Sequence, residues 1–164
     1  MSDLGPVHYH FESAGFAGTR LGVTTAQWRE SLNACFRAAI DVVIESPDED
    51  FLLPLGKDGV LTVSREGGLE RRLAGLVTEV EQLESPFPER QTHLRLRLEP
   101  ALALLGLGQR TRMFQEMTVG EILTAVLEEG LSAYQREVEV ALDETYPARE
   151  YCLQYRESDI AFAA

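Results

Sequence analysis

Positive charge is scarce in this sequence. Fifteen lysines and arginines stand against 27 aspartates and glutamates, giving a formal net charge of −12. A surface of that sign excludes long-range attraction to nucleic-acid phosphate or to anionic lipid, and the acidity is read as a solubility feature. Cysteine is scarce too. Cys35 and Cys152 show neither a CxxC pair nor the Cys/His spacing of a metal site, so they are expected to be reduced, buried small hydrophobes. No apolar run approaches the roughly 18 residues of a membrane-spanning helix. The opening MSDLGPVHYH lacks the basic start and apolar centre of a secretory signal, so cytoplasmic synthesis is expected. GxSxG, HExxH and Walker sequences are missing as well. Cys152 lies in the middle of a strand pattern, far in sequence from any histidine, and makes a poor nucleophile–base pair. The expectation is therefore no catalytic residue, no cofactor and no metal.

What is present is strand pattern. The 164 residues, 45% hydrophobic and 26% charged, suffice for one domain, or one domain and part of a second. Val7, Tyr9 and Phe11 alternate with His8, His10 and Glu12, as in a strand with one apolar face. His8 and His10 form an HxH pair, but the only other histidine is His93 and a zinc site needs a third ligand, so they are read as facing solvent. Residues 25–36 are ambiguous between helix and strand, with Trp28 expected in the core. Phe36, Ala38, Ile40, Val42 and Ile44 keep strict period 2. The acidic loop 46–50 lacks the glycine and closing glutamate of an EF-hand. Lys57-Asp58-Gly59 and residues 65–68 read as turns around a strand at 60–63. A long strand follows over 71–82, with Ala74, Leu76, Thr78 and Val80 on one face and Gly75 marking a bend or bulge. After a proline-broken loop, Leu94, Leu96 and Leu98 point inward from the next strand. Several strands joined by short turns predict an antiparallel barrel rather than a parallel α/β sheet.

Beyond Pro100 the pattern changes. A leucine-rich connector over 101–107 leads to Thr118-Val-Gly-Glu121, a capping box opening a helix with Ile122, Leu123, Val126 and Leu127 on one face and Gly130 as its C′ residue. Val138, Val140 and Leu142 are expected to form a strand. A turn at Tyr146-Pro147 precedes a second strand, whose buried face is expected to be Tyr151, Leu153 and Tyr155. Ser158-Asp159 then caps the start of a last helix. Ala164 falls barely one turn into it, which suggests either a fragment or a shortened protein.

The run from Arg149 to Asp159, REYCLQYRESD, resembles the (P)REYCxQYxESDxxF segment of the type VI secretion spike family VgrG. Three other stretches resemble the family in the same order. LAGLVTEVE at 73–81 is similar to its LHGIVTEVE, LRLRLEP at 94–100 to its YRLRLEP, and MFQEMTVGEI at 113–122 to its IFQDKTVPEI. The resemblance implies a mainly β, α+β protein: an antiparallel β-barrel of the phage tail hub type over 1–100, then the beginning of an α+β module over 101–164. It implies a structural part of a contractile injection machine, a tip spike hub on the secretion tube that helps deliver effectors. The baseplate hub of a tail-like prophage and a stand-alone adaptor remain as alternatives. Implied partners are two further copies in a full-length homotrimer, the tube ring protein, and effector or adaptor proteins, with no nucleic acid and no membrane insertion. Cytoplasmic assembly followed by secretion through the machine is the implied itinerary. Arg149, Glu150, Tyr151, Gln154, Arg156, Glu157 and Asp159 are expected to fix the corner between strand and helix, through buried or half-buried ion pairs among themselves.

Overall fold

In the computed structural model, the described residues are 6–16, 18, 19, 21–45, 50–65, 68, 70–87 and 90–164. The expected turn at 65–68 and the loops at 46–50 and 84–89 lie partly outside them. The chain divides into two compact units, Met1–Pro100 and Ala101–Ala164.

The first unit holds six strands: β1 (Val7–Ser13), β2 (Leu21–Ser31), β3 (Ala34–Ile44), β4 (Asp58–Arg65), β5 (Arg71–Leu83) and β6 (Thr92–Glu99). They form one antiparallel sheet in the order β1-β4-β5-β6-β3-β2. The sheet curls until its two outer strands, β1 and β2, come within 8 Å of each other between Cα atoms, so the barrel is nearly closed. Curling hides one face from water, and the period-2 residues fill that face. Ala38, Ile40, Val42 and Ile44 of β3 and Leu94, Leu96 and Leu98 of β6 are buried together with Phe11 and Leu61. Each of the valine, leucine, isoleucine and phenylalanine side chains contributes about 1.5–3 kcal/mol by leaving water. The opposite face of β3, β5 and β6 carries ion pairs, Arg95 with Asp41 at 2.7 Å and Arg97 with Glu79.

Four local expectations are corrected in this unit. Residues 25–36 are extended and form a hairpin, and Trp28 lies at its surface, 37% exposed, rather than in the core. The strand after Lys57 begins at Asp58, so Gly59 is a strand residue. The barrel-core residues of β5 are Leu73 and Val77, with Gly75 between them, while Ala74 is exposed and Leu76 is buried outside that cluster. A register shift between Val77 and Glu79 then reverses the alternation and turns Val80 inward. One extra residue is enough to move a whole face, and the sequence pattern reported only the second half of the strand. Gly75 is needed for a close approach: a Cβ there would stand 2.3 Å from the carbonyl oxygen of Glu99. Finally, Cys35 is a free thiol but only half-buried, as is Cys152 of the second unit.

The second unit opens with a 3-10 turn, Ala101–Gly106, and contains β7 (Arg110–Met117), α1 (Val119–Leu131), β8 (Arg149–Glu157) and α2 (Asp159–Ala163). β7 and β8 pair as a two-stranded antiparallel ribbon. The capping box is complete: Glu121 N–H donates to Thr118 Oγ1 at 3.3 Å, and Thr118 N–H donates to Glu121 Oε2 at 2.8 Å. Gly130 is not the C′ residue; α1 runs on to Leu131 and Ser132 caps it. A Cβ there would lie 2.5 Å from a methyl group of Leu105, so any larger residue would require that side chain to shift. Val138, Val140 and Leu142 form no strand. Their alternation matches a strand, but β7 and β8 pair with each other and leave this segment without a ladder.

Candidate functional site: a charged corner between β8 and α2

Alternation along β7 and β8 sorts their side chains onto two faces. Arg110, Arg112 and Phe114 share a face with Cys152 and Gln154, and this is the face that α1 and α2 cover. The expectation for Tyr151, Leu153 and Tyr155 is therefore reversed. They point away from the helices, 65%, 54% and 59% exposed, while Gln154 is fully buried. An apolar-inward rule misplaces this strand because its inner face is occupied by a polar network instead.

Arg112 is the centre of that network. Its Nε donates to Gln154 Oε1 at 2.9 Å, one Nη to Glu129 Oε2 of α1 at 2.7 Å, and the other to Asp159 Oδ1 of α2. Gln154 Nε2 donates to the same Asp159 oxygen at 2.9 Å and to the Glu157 carbonyl at 3.2 Å. Arg110 pairs with Glu129 and reaches the second Asp159 oxygen at 3.4 Å. Asp159 is only 4% exposed, so its charge is stabilised by two guanidiniums, an amide and its place in the first turn of α2. Ser158 caps that turn by accepting from Ala161 N–H at 3.3 Å. Phe114 and Phe162 stack beneath it with centroids 5.8 Å apart.

Of the seven motif residues, the network brings Gln154, Glu157 and Asp159 together. Its arginines come from β7, whereas Arg149 and Glu150 are exposed at the start of β8 and Tyr151 is on the outer face. Arg156 takes a left-handed φ of 51° that turns the chain toward α2, and its guanidinium lies 5.3 Å from the Tyr155 ring. Glu157 Oε1 accepts from Tyr155 N–H. Sequence reasoning missed Arg110, Arg112 and Glu129. The signal was available: a helix-opening aspartate followed by apolar residues needs a cation, and Arg110 and Arg112 fall on one side of the preceding strand.

A second buried carboxylate lies in the barrel. Glu99 accepts from Arg37 Nε at 2.8 Å and Thr78 Oγ1 at 2.6 Å. Burial pushes its pKa up, but the hydrogen bonds from Thr78 and Arg37 and the nearby arginine charges outweigh this and hold it below the usual range. Burial, and then the charge of Glu99, raise the pKa of Cys35 and keep it a thiol. His10 Nε2 lies 3.0 Å from Glu12 Oε1 on the exposed strand β1. Among the described residues no three histidine, cysteine or acidic side chains converge as metal ligands. No helix of the described residues is long and apolar enough to cross a membrane. The corner can lock a strand to a helix; its carboxylate is saturated by donors.

Residues 29–164 match the family model described as phage tail baseplate hub (GPD), and the chain belongs to that family. Within it, the chain is similar to spike proteins of bacterial type VI secretion. It is 38% identical over 135 residues to the type VI secretion system spike protein VgrG5 of Pseudomonas aeruginosa, covering 82% of this chain and 16% of that protein. It is 32% identical over 169 residues to the actin cross-linking toxin VgrG1 of Vibrio cholerae, covering 97% of this chain and 15% of that one. Among solved structures, the Escherichia coli c3393 protein superposes with a TM-score of 0.78 at 29% identity, over 94% of this chain and 41% of its own. That protein is described as a component of the type VI secretion system with structural similarity to the T4 bacteriophage tail proteins gp27 and gp5. The chain thus spans about a sixth of the length of these curated relatives.

Proposed function

We propose that this chain is the hub part of a VgrG-like tip spike, a structural component that sits on the tube of a type VI secretion machine and helps deliver effectors. The observation that carries the reading is the nearly closed six-stranded barrel followed by the charged corner, in a chain whose residues 29–164 match the baseplate hub family. In this reading the barrel, residues 1–100, stacks on the last ring of the tube, and residues 101–164 begin an α+β module. Gln154, Glu157 and Asp159 hold the strand-to-helix turn within the module, with Arg112 as the counterion of Asp159. The full spike is a homotrimer, assembles in the cytoplasm and leaves the cell through the machine. The segment itself is not an enzyme: its buried carboxylates are paired, and the toxin named among its relatives is several times longer than this chain.

Deletion of the coding segment tests this. Secretion of the tube ring protein into the medium is expected to stop and to return with the intact gene, whereas the Arg112→Met form restores it poorly. Undiminished ring-protein secretion would overturn the reading. Loss of tail-like particles, with ring-protein secretion intact, would favour a prophage baseplate hub.

A further inference from the structure

The second unit contains a strand pattern without a ladder. Half-buried Val138 and Val140 alternate with exposed Glu137, Glu139 and Ala141, the alternation of an extended chain. Among the described residues the backbone of 137–142 makes no hydrogen bond. A row of free N–H and C=O groups of this kind is a template for another strand.

Both ends of the segment are held against α1. At one end Gln135 takes a left-handed φ of 54°, and Arg136 N–H donates to the Leu131 carbonyl. At the other end Leu142 packs on the first turn of the helix, where a Cβ on Gly120 would stand 3.1 Å from Leu142 Cδ1. Between these anchors an open groove of about 560 Å³ separates segment and helix, with Ala125, Val140 and Leu142 as apolar lining and Glu121 and Glu128 as acidic lining. The surroundings are of one sign. Between Thr118 and Pro147 the chain carries seven acidic side chains and one basic, Arg136. The Arg136 guanidinium is turned to the Tyr134 carbonyl, and of the acids only Glu129 is drawn to the arginines of β7.

We propose that this groove takes up an extended basic segment of a partner protein by strand addition. The incoming backbone pairs with residues 137–142 and satisfies their free groups. Alternation then sorts its side chains: apolar ones face α1 beside Val140 and Leu142, and lysines or arginines lie on the outer face beside Glu137 and Glu139. Opposite charges across a strand pair attract and like charges repel, so the acidic alternation selects a basic one. This goes beyond the hub reading, in which the groove has no role, and it stands on the geometry of this unit alone.

A labelled peptide alternating lysine and valine, blocked at both ends and titrated with the 164-residue chain, tests it by fluorescence anisotropy. Saturable binding is expected. Glu139→Arg, at an exposed position, should weaken it about fivefold and leave the thermal midpoint in place. Two N-methylated peptides, one modified at every valine and one at every lysine, keep the charge and each lose the donors of one edge. One should bind and the other should not, because only one edge faces the segment. Hydrogen exchange gives the location: amides 138–142 should exchange fast in the free chain and slowly with the peptide bound. Absence of saturable binding overturns the proposal. Equal binding of both N-methylated peptides overturns strand pairing and leaves a contact of charge alone. Slow exchange of 138–142 in the free chain would mean that the segment is already paired, and overturns the choice of occupant.

Discussion

Replacing Arg112 by methionine probes the corner at its centre. The change keeps an unbranched apolar stem and removes three charged hydrogen bonds, to Gln154, Glu129 and Asp159. What remains is a carboxylate with a side-chain exposure of 6%, held by Gln154 and by Arg110 at 3.4 Å. Removing one partner of a buried ion pair costs about 3–5 kcal/mol, chiefly from the charge left behind. Because Arg110 is retained, the lower figure, about 3 kcal/mol, is expected. In a unit this small that moves the midpoint by roughly 12 °C or more. The helical circular dichroism of α1 reports on this unit, while Trp28, the only tryptophan, reports on the barrel. The helical signal should melt early and Trp28 fluorescence should shift less. The reasoning also fixes the double variant: with Asp159→Asn added, no charge is stranded, and the combined loss should fall short of the sum by about 1–3 kcal/mol. A loss below about 1 kcal/mol in Arg112→Met, or strict additivity in the pair, would refute it.

The barrel and the helix cap give simpler outcomes. Gly75→Ala places a Cβ against the Glu99 carbonyl and should cost more than about 3 kcal/mol, read as a lost urea midpoint or lost soluble yield. Thr118→Ala removes the hydroxyl half of the capping box and should cost about 1 kcal/mol in α1 melting. Glu99 has a folded pKa below its ordinary 4.5, so its contribution is full above that pH and is lost as pH falls through the lower folded value. Glu99→Gln should flatten stability against pH in that acid range. An unchanged profile would mean that Glu99 is not the titrating group.

Much of the barrel was legible because its strands bury one face with aliphatic side chains, and alternation reports that directly in β3 and β6. Where a face is assigned by something other than apolarity, the sequence misleads. The shift at Val77/Glu79 exchanged the faces of β5, and no residue type announces a bulge of this kind. In β8 the inner face is a glutamine beside a cysteine, and the tyrosines lie outside, so hydrophobic alternation indicated the wrong side. Val138, Val140 and Leu142 have a strand pattern without an available partner, which is a property of the sheet and not of the segment. The corner was legible in its location and in Gln154 and Asp159. Its arginines were not, because Arg110 and Arg112 lie more than 40 residues away and only the β7–β8 pairing brings them near.

The central claim, a hub segment of a secreted spike, is tested most directly by the native product. An immunoblot against residues 1–164, on cells and on medium, gives its size and its route. The account predicts a band well above 18.3 kDa, present in the medium only when the secretion machine is intact. A band at 18.3 kDa that stays in the cells whether or not the machine works would contradict it, and the stand-alone adaptor reading would take its place.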